Sequence, residues 1–187
     1  MIRVFTDGAA KGNGKFNCTA GFSSVMVIDN IIRCTYGRVE PFKYILLDGK
    51  LAVTEEEIKP TNNRAELLGI IVTMIKLKKL NYEIISDSNY SINSITKWMN
   101  GWKEKGYFGT NEKQNMDLFE IIYNLYDPKK IQFTHIEAHK LKNKISLFEI
   151  LELKKNPIPK TDQQYNDIAD VLACEGANSD DFELKHI

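Results

Sequence analysis

The sequence predicts an α/β protein in which helices flank a five-stranded mixed sheet, made of an antiparallel meander plus parallel strands. Three strand-like apolar runs follow one another near the N-terminus, and later runs alternate with helical patterns. Strands joined by short turns pair antiparallel, whereas strands joined through helices are typically parallel. The 187 residues are 43% hydrophobic, which suffices for the core of one domain.

The meander comes first along the chain. IRVFTD, TAGFSSVMVID and NIIRCTYGRVE predict three strands, and the polar pair Asp29-Asn30 predicts the second turn. In the following segment Asp48-Gly49 lies between two apolar runs, which is typical of a hairpin. We therefore expect an insertion at about 40–58 that forms a small extra hairpin at an edge of the sheet.

The middle of the chain alternates helices with a strand. TNNRAELLGIIVTMIKLKKL predicts the clearest helix, with Thr61 or Asn62 as its N-cap. YEIISDS predicts a strand that ends in Asp87, and NYSINSITKWMNGWKEKGY predicts one or two short helices broken near Gly101. QNMDLFEIIYNLYD predicts a further helix, which Pro128 stops.

The last part of the chain completes the domain. KIQFTHIEAH predicts the fifth strand, and a Lys-rich insertion at about 140–160 contains ISLFEILEL, the pattern of a short amphipathic helix. TDQQYNDIADVLACEGA predicts a closing helix, capped by Thr161 or Asp162 and stopped near Gly176. These elements predict a single domain over residues 1–178 and a C-terminal tail over 179–187.

Composition excludes several classes of protein. Lys plus Arg and Asp plus Glu both number 25, so only local patches can indicate a nucleic-acid partner. No apolar run approaches the roughly 20 residues of a membrane span, and the start lacks a signal-peptide pattern. Cys18, Cys34 and Cys174 are scattered, which predicts reduced core thiols in an intracellular protein.

The first turn, GAAKGNGKF, resembles a phosphate-binding loop in composition. A P-loop requires Gly, four further residues and then Gly-Lys-Ser/Thr. Gly14-Lys15 fits, but Ala9 occupies the first Gly position and Phe16 the Ser/Thr position. The sequence therefore predicts no small-molecule nucleotide cofactor.

Four carboxylates lie at the ends of predicted elements or inside the last helix: Asp7, Glu66, Asp87 and Asp170. Strand ends and helix N-termini meet at the functional edge of open α/β sheets, and a converged acidic cluster requires cations. All-oxygen ligands suit Mg²⁺, and two such ions can promote phosphodiester hydrolysis. Taken singly, each residue is also an ordinary turn former or helix-dipole partner.

Six motifs occur in one order along the chain: FTDGAAKGNG, TNNRAE, SDSNYSINSITKWMNGWKEKGY, QNMDLF, FTHIEAH and NDIADVLACEGA. Together they make the chain similar to type 1 ribonuclease H over roughly residues 1–39, 59–139 and 163–178. TNNRAE and the Trp-containing stretch are specific, whereas Asp-Gly after a strand is weak alone. The resemblance implies the ribonuclease H-like fold.

The resemblance implies an endonuclease that cuts the RNA strand of RNA–DNA hybrids, independently of sequence, and leaves 3′-hydroxyl and 5′-phosphate ends. It implies that two Mg²⁺ ions, or Mn²⁺ in their place, bind to catalytic carboxylates at Asp7, Glu66, Asp87 and Asp170. It also implies that His139 assists proton handling or product departure. Here Ala138 and Lys140 flank this His, where the family usually has Gly.

Contacts to the RNA strand are implied for the first turn and the start of the main helix: Ala10, Gly12, Asn13, Asn62 and Asn63, together with Glu66. Contact with 2′-hydroxyls distinguishes RNA from DNA, and short polar side chains and bare backbone suit it. Taken alone, Asn13 is equally a turn former and Asn62 equally a helix cap.

Contacts to the DNA strand are implied for an aromatic and basic group: Tyr90, Trp98, Trp102, Lys103 and Lys105, with Thr61 and Asn115 as a pocket for a DNA phosphate. The two Trp residues lie four apart and share one helical face. Aromatic faces beside Lys suit sequence-independent binding, although core packing of one or both Trp is the alternative. Lys59 replaces the Arg that the family has two residues before Thr61, so bidentate phosphate contact is lost while the charge remains.

Two alternatives remain open. One is another nuclease or strand transferase of the same fold, against which TNNRAE and the Trp pair argue. The other is a catalytically weak or inactive hybrid-binding module, against which the presence of all four carboxylates argues. The Lys-rich insertion, with six Lys against two Glu, is either a solvated loop or a second contact with the hybrid backbone. We expect a monomer without a membrane partner.

Overall fold

The computed structural model describes residues 2–13, 15–138, 145–158 and 160–187. Its strands are β1 (Ile2–Lys11), β2 (Thr19–Ile28), β3 (Ile31–Arg38), β4 (Phe42–Leu47), β5 (Lys50–Glu57), β6 (Tyr82–Ser86), β7 (Ile131–His135) and β8 (Lys185–His186). Its helices are α1 (Asn62–Lys76), α2 (Asn89–Asn93), α3 (Met99–Glu104), α4 (Met116–Leu125), α5 (Leu147–Lys155) and α6 (Asp162–Asn178), with a π-helical turn Ser94–Trp98 between α2 and α3.

The main sheet has the strand order β7-β6-β1-β2-β3-β8. Strands β1, β2 and β3 form an antiparallel meander, β6 pairs in parallel with β1, and β7 pairs in parallel with β6. Helix α1 leads into β6, and helices α2, α3 and α4 connect β6 to β7. Parallel strands require such crossover connections, which usually contain a helix. The predicted mixed α/β architecture is confirmed.

The hairpin turns follow from their local sequence. Asp29 and Asn30 have φ values of 48° and 66°, and Asp48 and Gly49 have φ values of 50° and 75°. Two consecutive left-handed residues match the twist of the flanking strands, and Asp, Asn and Gly tolerate this conformation. Both predicted turns are confirmed.

Each face of the main sheet carries its own hydrophobic core. Helix α1 packs on β1 and β2 with α4 beside it, and α6 covers the opposite face of β1, β2 and β3. Val4 and Phe5, adjacent on β1, are both fully buried but belong to different cores. This alternation follows from the two-residue period of a strand.

Helix α6 lies very close to the sheet. A Cβ at Gly21 of β2 would lie 2.1 Å from the backbone nitrogen of Ala177, so only glycine fits there. The Ser23 hydroxyl donates to the Ala169 carbonyl at 2.7 Å. These contacts hold α6 against β2 and fix the position of Asp170, the residue after Ala169.

The insertion at about 40–58 forms the predicted hairpin, but its place differs from the expectation. Strands β4 and β5 make a separate two-stranded sheet and do not extend an edge of the main one. The backbone N–H of Tyr44 donates to Asp117 Oδ2 of α4 at 3.1 Å, and Arg64 Nη2 of α1 donates to the Phe42 carbonyl at 3.3 Å. The hairpin therefore attaches to the helical layer through polar groups that α1 and α4 supply.

The C-terminal tail adds a sixth strand, so the predicted count of five was wrong. Strand β8 pairs antiparallel with β3, with Thr35 opposite His186. Cys34 and Ile187 exchange two backbone hydrogen bonds, of 2.8 and 3.1 Å. A strand of two residues has no periodic signal, so tertiary pairing alone defines it.

Two further expectations are corrected. The chain stays helical through Gly101 and α3 ends only at Glu104, because one isolated Gly costs a helix only about 1 kcal/mol. Asp7 does not end its strand: β1 continues to Lys11 in a hairpin with β2, and only its pairing with β6 stops at Phe5. Asp7 thus lies where β1 leaves its parallel neighbour.

Some predicted residues lie outside the described part of the chain: Gly14, His139, Lys140, Lys142 and Lys144. Among the residues that are described, no helix combines the length and apolar character needed to cross a membrane. Cys18 and Cys34 are buried and Cys174 is half-buried, and none of the three forms a disulfide with a described residue. Cys174 is thus not a fully buried core thiol, unlike the prediction.

Candidate active site

Three carboxylates converge where β1 leaves its pairing with β6. Asp7 lies on β1, Glu66 lies in the first turns of α1 and Asp87 directly follows β6. One oxygen of each lies within 4.8 Å of the corresponding oxygens of the other two. Asp7 and Glu66 are only 5% and 4% exposed, and Asp87 is half-buried. Three acidic groups therefore share one small, largely buried site.

Close contact between strand and helix produces this convergence. A Cβ at Gly8 would lie 2.4 Å from the backbone nitrogen of Glu66, so glycine lets α1 touch β1. The parallel pairing of β1 with β6 extends to Phe5 opposite Ile85. Asp7 and Asp87 each lie two residues beyond this pair, so they lie side by side where β1 and β6 stop pairing.

Burial and mutual repulsion raise the pKa values of these carboxyl groups. The pKa values of Asp7 and Glu66 lie well above the ordinary range, mainly through burial and further through the charges of neighbouring carboxylates. Burial also raises the pKa of Asp87. Negative charge at this site is therefore unfavourable without a cation.

The donor set fits a hard divalent cation. Glu66 Oε2 is buried and has no hydrogen-bond partner among the described residues, whereas Glu66 Oε1 accepts from Asn62 Nδ2 at 3.4 Å. Asp7 Oδ1 accepts from the Gly8 N–H at 2.7 Å. Buried polar atoms without a partner are rare, and oxygen-only donors match Mg²⁺ or Mn²⁺.

Asp170 lies beside the cluster and outside the group of three. Its negative charge contributes to the raised pKa values of Asp7 and Asp87, so its carboxylate is near both. Asp170 is half-buried on α6, and its Oδ1 accepts a weak hydrogen bond from Cys174 Sγ at 3.8 Å. The register of α6 therefore brings Asp170 toward the other three carboxylates.

Asn166 is a site residue that the sequence interpretation missed. It is 3% exposed, and its side chain hydrogen-bonds the Asp87 carboxylate, which lowers the pKa of Asp87 against the effect of burial. Asn166 lies four residues before Asp170 and so shares its face of α6. This four-residue spacing within NDIAD is the sequence signal that could have identified Asn166.

His135 at the end of β7 also lies against Asp87. Its Nε2 is 3.3 Å from the Asp87 carbonyl oxygen, and Ser86 is its partner in the β6–β7 register. Positive charge on His135 lowers the pKa of Asp87. The sequence interpretation preferred His139, but the end of a parallel strand was a visible signal for His135.

The residues predicted to contact RNA lie along one rim of the cluster. Asn13, exposed on the β1–β2 turn, accepts the Asn62 N–H through Oδ1 at 3.4 Å. The N-cap of α1 is Thr61, whose Oγ1 accepts from the Arg64 N–H at 3.2 Å. Asn62 is therefore not the cap, and its amide instead reaches Glu66.

The other three predicted RNA contacts flank this rim. Gly12 has a φ of 64°, a conformation that glycine adopts freely. Ala10 is half-buried near the end of β1, and Asn63 is half-buried in the first turn of α1. The rim thus combines backbone of the β1–β2 turn with the N-terminus of α1.

The two Trp residues have different environments. Trp102 packs edge-to-face on the buried ring of Phe119 with centroids 4.9 Å apart, so it is partly a core residue. Trp98 is 46% exposed, and its ring centroid lies 6.1 Å from that of Trp102. They share one helical face, and Trp98 presents that face to solvent.

The structure also shows the surroundings of the basic and polar residues that were predicted to contact the DNA strand. Lys103 Nζ lies 5.5 Å from the ring centroid of Phe108, and Lys105 is exposed. Tyr90 is half-buried, and its hydroxyl accepts from Asn115 Nδ2 at 3.2 Å. Asn115 has a left-handed φ of 65°, which Asn tolerates.

A buried ion pair next to Thr61 and Asn115 was not predicted. Arg64, 1% exposed, donates to Asp117 Oδ1 at 2.9 Å and to Oδ2 at 2.7 Å, and to Asn115 Oδ1 at 3.5 Å. The pair joins residues 53 positions apart, so no local pattern indicated it. Through Tyr44 and Asp117 it also connects the β4–β5 hairpin to this part of the site.

Comparison with known proteins supports one family. The RNase H family model matches residues 1–178. The curated ribonuclease H of Novosphingobium aromaticivorans is 30% identical over 142 residues, which cover 74% of this chain and 84% of that protein.

Solved structures agree on the fold. LC9-RNase H1, a type 1 RNase H with the type 2 active-site motif, matches with a TM-score of 0.61 at 17% identity, over 95% of this chain and 72% of its own. LC11-RNase H1 in complex with RNA/DNA hybrid matches with a TM-score of 0.52 at 17% identity, over 95% and 97%. The predicted ribonuclease H-like fold is confirmed.

Proposed function

Because this chain belongs to the ribonuclease H family, we propose that it hydrolyses the RNA strand of RNA–DNA hybrids. Cleavage is endonucleolytic and independent of sequence, and it leaves 3′-hydroxyl and 5′-phosphate ends. The observation that carries the proposal is the convergence of Asp7, Glu66 and Asp87 with a buried, unpartnered Glu66 Oε2 among the described residues. The hybrid bound to LC11-RNase H1 supports the substrate class.

Two Mg²⁺ ions, replaceable by Mn²⁺, would be held by the four acidic residues Asp7, Glu66, Asp87 and Asp170. When bound, they would activate a water and stabilise the leaving oxygen of the phosphodiester. Burial places carboxylates of like charge close together, and their mutual repulsion favours cation binding. The Gly8 N–H and the Asn166 side chain orient two of the carboxylates, those of Asp7 and Asp87.

Two His residues have different parts in this proposal. His139 assists proton handling or product departure, as the family resemblance implies. His135 holds the main chain at Asp87 through the contact of Nε2 with its carbonyl oxygen. Orientation of a metal-binding carboxylate by such a neighbour supports activity without direct contact with substrate.

The two strands of the hybrid lie on either side of the N-terminus of α1. The RNA strand contacts the rim made of Ala10, Gly12, Asn13, Asn62 and Asn63. The DNA strand contacts the aromatic and basic surface made of Tyr90, Trp98, Trp102, Lys103 and Lys105, and one DNA phosphate binds between Thr61 and Asn115. The exposed ring of Trp98 supports this assignment, because aromatic faces bind sugars and bases without sequence preference.

Cleavage of a labelled hybrid in Mg²⁺, compared with duplex RNA and duplex DNA of the same sequence, tests the proposal. We expect cleavage of the hybrid alone, and its loss in Asp87→Asn. Glu83→Gln on the same strand is the matched control, because its carboxylate pairs with Arg3 at 3.3 Å outside the cluster and its loss should leave cleavage unchanged. Binding without cleavage would favour an inactive hybrid-binding module, and cleavage of duplex DNA would favour another nuclease of this fold.

The proposed enzyme is a monomer that acts inside the cell. Residues 1–178 form its catalytic domain, and residues 179–187 are a tail whose strand β8 pairs with β3. A mass from light scattering that matches one chain of 21.5 kDa would support the monomer.

A further inference from the structure

A second cleft lies beside the proposed RNA rim. It has a volume of about 400 Å³ and lies between the β1–β2 turn, the segment before α1 and the C-terminal tail. Its lining includes Phe16, Arg38, Lys59, Pro60 and Phe182. This volume is typical of sites that bind small ligands or single residues of a polymer.

Two exposed aromatic rings distinguish this cleft. Phe16 is 98% exposed and Phe182 is 43% exposed. Single exposed apolar side chains are ordinary on a protein surface, but two Phe residues that line one cleft with basic residues are not. Aromatic rings beside cations form the stacking platforms of single-stranded nucleic-acid sites.

Arg38 fixes the Phe182 side of the cleft. Its guanidinium carbon lies 5.2 Å from the Phe182 ring centroid, and Nη1 donates to the Ser179 carbonyl at 2.8 Å. Lys185 Nζ donates to Ser179 Oγ at 2.9 Å, and Ser179 is buried. The tail is thus held in place before any ligand binds, which reduces the entropy lost on binding.

The charge and position of the cleft both suit a nucleic-acid strand. Arg38 and Lys59 outnumber Glu57, the acidic residue of its lining, so a phosphate is electrostatically favoured. The turn that carries Phe16 also carries Asn13, and Asn13 contacts Asn62 at 3.4 Å. The cleft therefore lies next to the proposed RNA rim.

We propose that this cleft binds a single-stranded RNA segment that continues from the hybrid. An unpaired base stacks on Phe16 or Phe182, while Arg38 and Lys59 contact the adjoining phosphate. Bases in a duplex do not expose their faces, so only a single-stranded extension can use these rings. This inference rests on the proposed function, because it extends the substrate of the same site.

The test measures affinity separately from cleavage. Fluorescence anisotropy in EDTA gives the Kd for a blunt hybrid and for hybrids with a 5′ or a 3′ RNA overhang or a DNA overhang. We expect one of the RNA overhangs to bind about tenfold more tightly than the blunt hybrid, the effect of one stacked base. DNA overhangs should give no gain, because the DNA strand lies on the other side of α1.

Three variants identify the cleft. At least one of Phe16→Ser and Phe182→Ser should remove most of the gain while cleavage of the blunt hybrid in Mg²⁺ stays unchanged in both. Phe148→Ser is the matched control, because this residue of α5 is 70% exposed and does not line the cleft. Thermal denaturation checks that all three variants remain folded, which we expect from their exposure.

Three results would overturn the inference: equal affinity for blunt and RNA-overhang hybrids, an equal gain from DNA overhangs, or a gain that survives in both cleft variants. Absence of cleavage with any hybrid would overturn the proposed function instead. Because the anisotropy measurement needs no cleavage, the two failures are distinguishable.

Discussion

Arg64 and Glu66 lie two residues apart on α1 and are almost equally buried, at 1% and 4% exposure, yet their surroundings are opposite. Arg64 donates to both oxygens of Asp117, at 2.9 and 2.7 Å. Glu66 faces two more carboxylates, Asp7 and Asp87, and its Oε2 has no partner among the described residues. One buried charge is neutralised within the chain and the other is not.

The difference separates a structural charge from a functional one. The bidentate pair of Arg64 with Asp117 joins α1 to α4, and the same two side chains bond the backbone of the β4–β5 hairpin. Glu66 makes no comparable link, and burial together with its acidic neighbours raises its pKa well above the ordinary range. An arrangement that is unfavourable for folding is typical of a site that awaits a ligand.

The largest expected effect is on stability at Arg64. Arg64→Met should lower the free energy of unfolding by about 3–5 kcal/mol, because it leaves the buried Asp117 carboxylate without its partner. Urea denaturation followed by circular dichroism measures this.

Arg3→Met is the control for that measurement. Arg3 is 35% exposed and pairs with Asp162 and Glu83, which are 50% and 17% exposed, so loss of these solvent-accessible pairs should cost only about 1 kcal/mol. Equal losses in the two variants would show that burial does not distinguish these ion pairs.

The next effect is on activity at Glu66. Glu66→Gln should reduce kcat for hybrid cleavage by about 100-fold or more, since loss of even an outer-shell partner of a metal site costs about 10–100-fold. The variant should stay folded, because Gln keeps the size of the side chain and removes a buried charge whose Oε2 has no partner among the described residues. A Glu66→Gln protein that is unfolded, or folded and fully active, would contradict the comparison.

The smallest effect is on the pH dependence of stability without metal. The folded-state pKa of Glu66 is raised above its ordinary value of 4.5, so the wild type is relatively stabilised below that value. It loses this stability as pH rises through the folded-state pKa, because the unfolded state then binds fewer protons. Glu66→Gln cannot lose it, so the variant should be more stable than the wild type at neutral pH.

Urea titrations in EDTA at acidic and neutral pH measure this difference. Saturating Mg²⁺ should reverse it, since a ligand at 100 times its Kd stabilises the folded state by about 2.7 kcal/mol and the wild type has the better site. A difference between the two proteins that does not vary with pH would contradict the raised pKa of Glu66.

Much of the fold was predictable because its signals are local. The turns at Asp29-Asn30 and Asp48-Gly49 contain residues that tolerate positive φ, and both form as predicted. Helices α1 and α6 were predicted from their sequence patterns and N-cap residues, and both helices form and pack on the main sheet. Strand β8 was missed because two residues have no periodic pattern, and the helix through Gly101 was missed because one isolated Gly breaks a helix less often than was assumed.

The candidate active site likewise contains residues that the sequence predicted and residues that it did not. Asp7, Glu66 and Asp87 were identified from their positions near element ends and from the motifs around them, and they do lie together. Asn166 and His135 were missed, because their contacts with Asp87 depend on how α6 packs across the sheet and how β7 pairs with β6. The roles of all these residues in catalysis stay predictions until the variants are measured.

The sequence by itself determined the mixed α/β architecture, the hairpin turns and the acidic residues of the site, because backbone preference, periodicity and motif order are properties of neighbouring residues. Only the tertiary structure decided that Arg64 pairs with Asp117 and that the tail extends the sheet and adds Phe182 to a cleft near Phe16. Such contacts join residues far apart in the chain, and their partners are set by the packing of whole helices and strands. That packing places one buried charge of α1 in a neutral pair and the other in an acidic cluster suited to a cation.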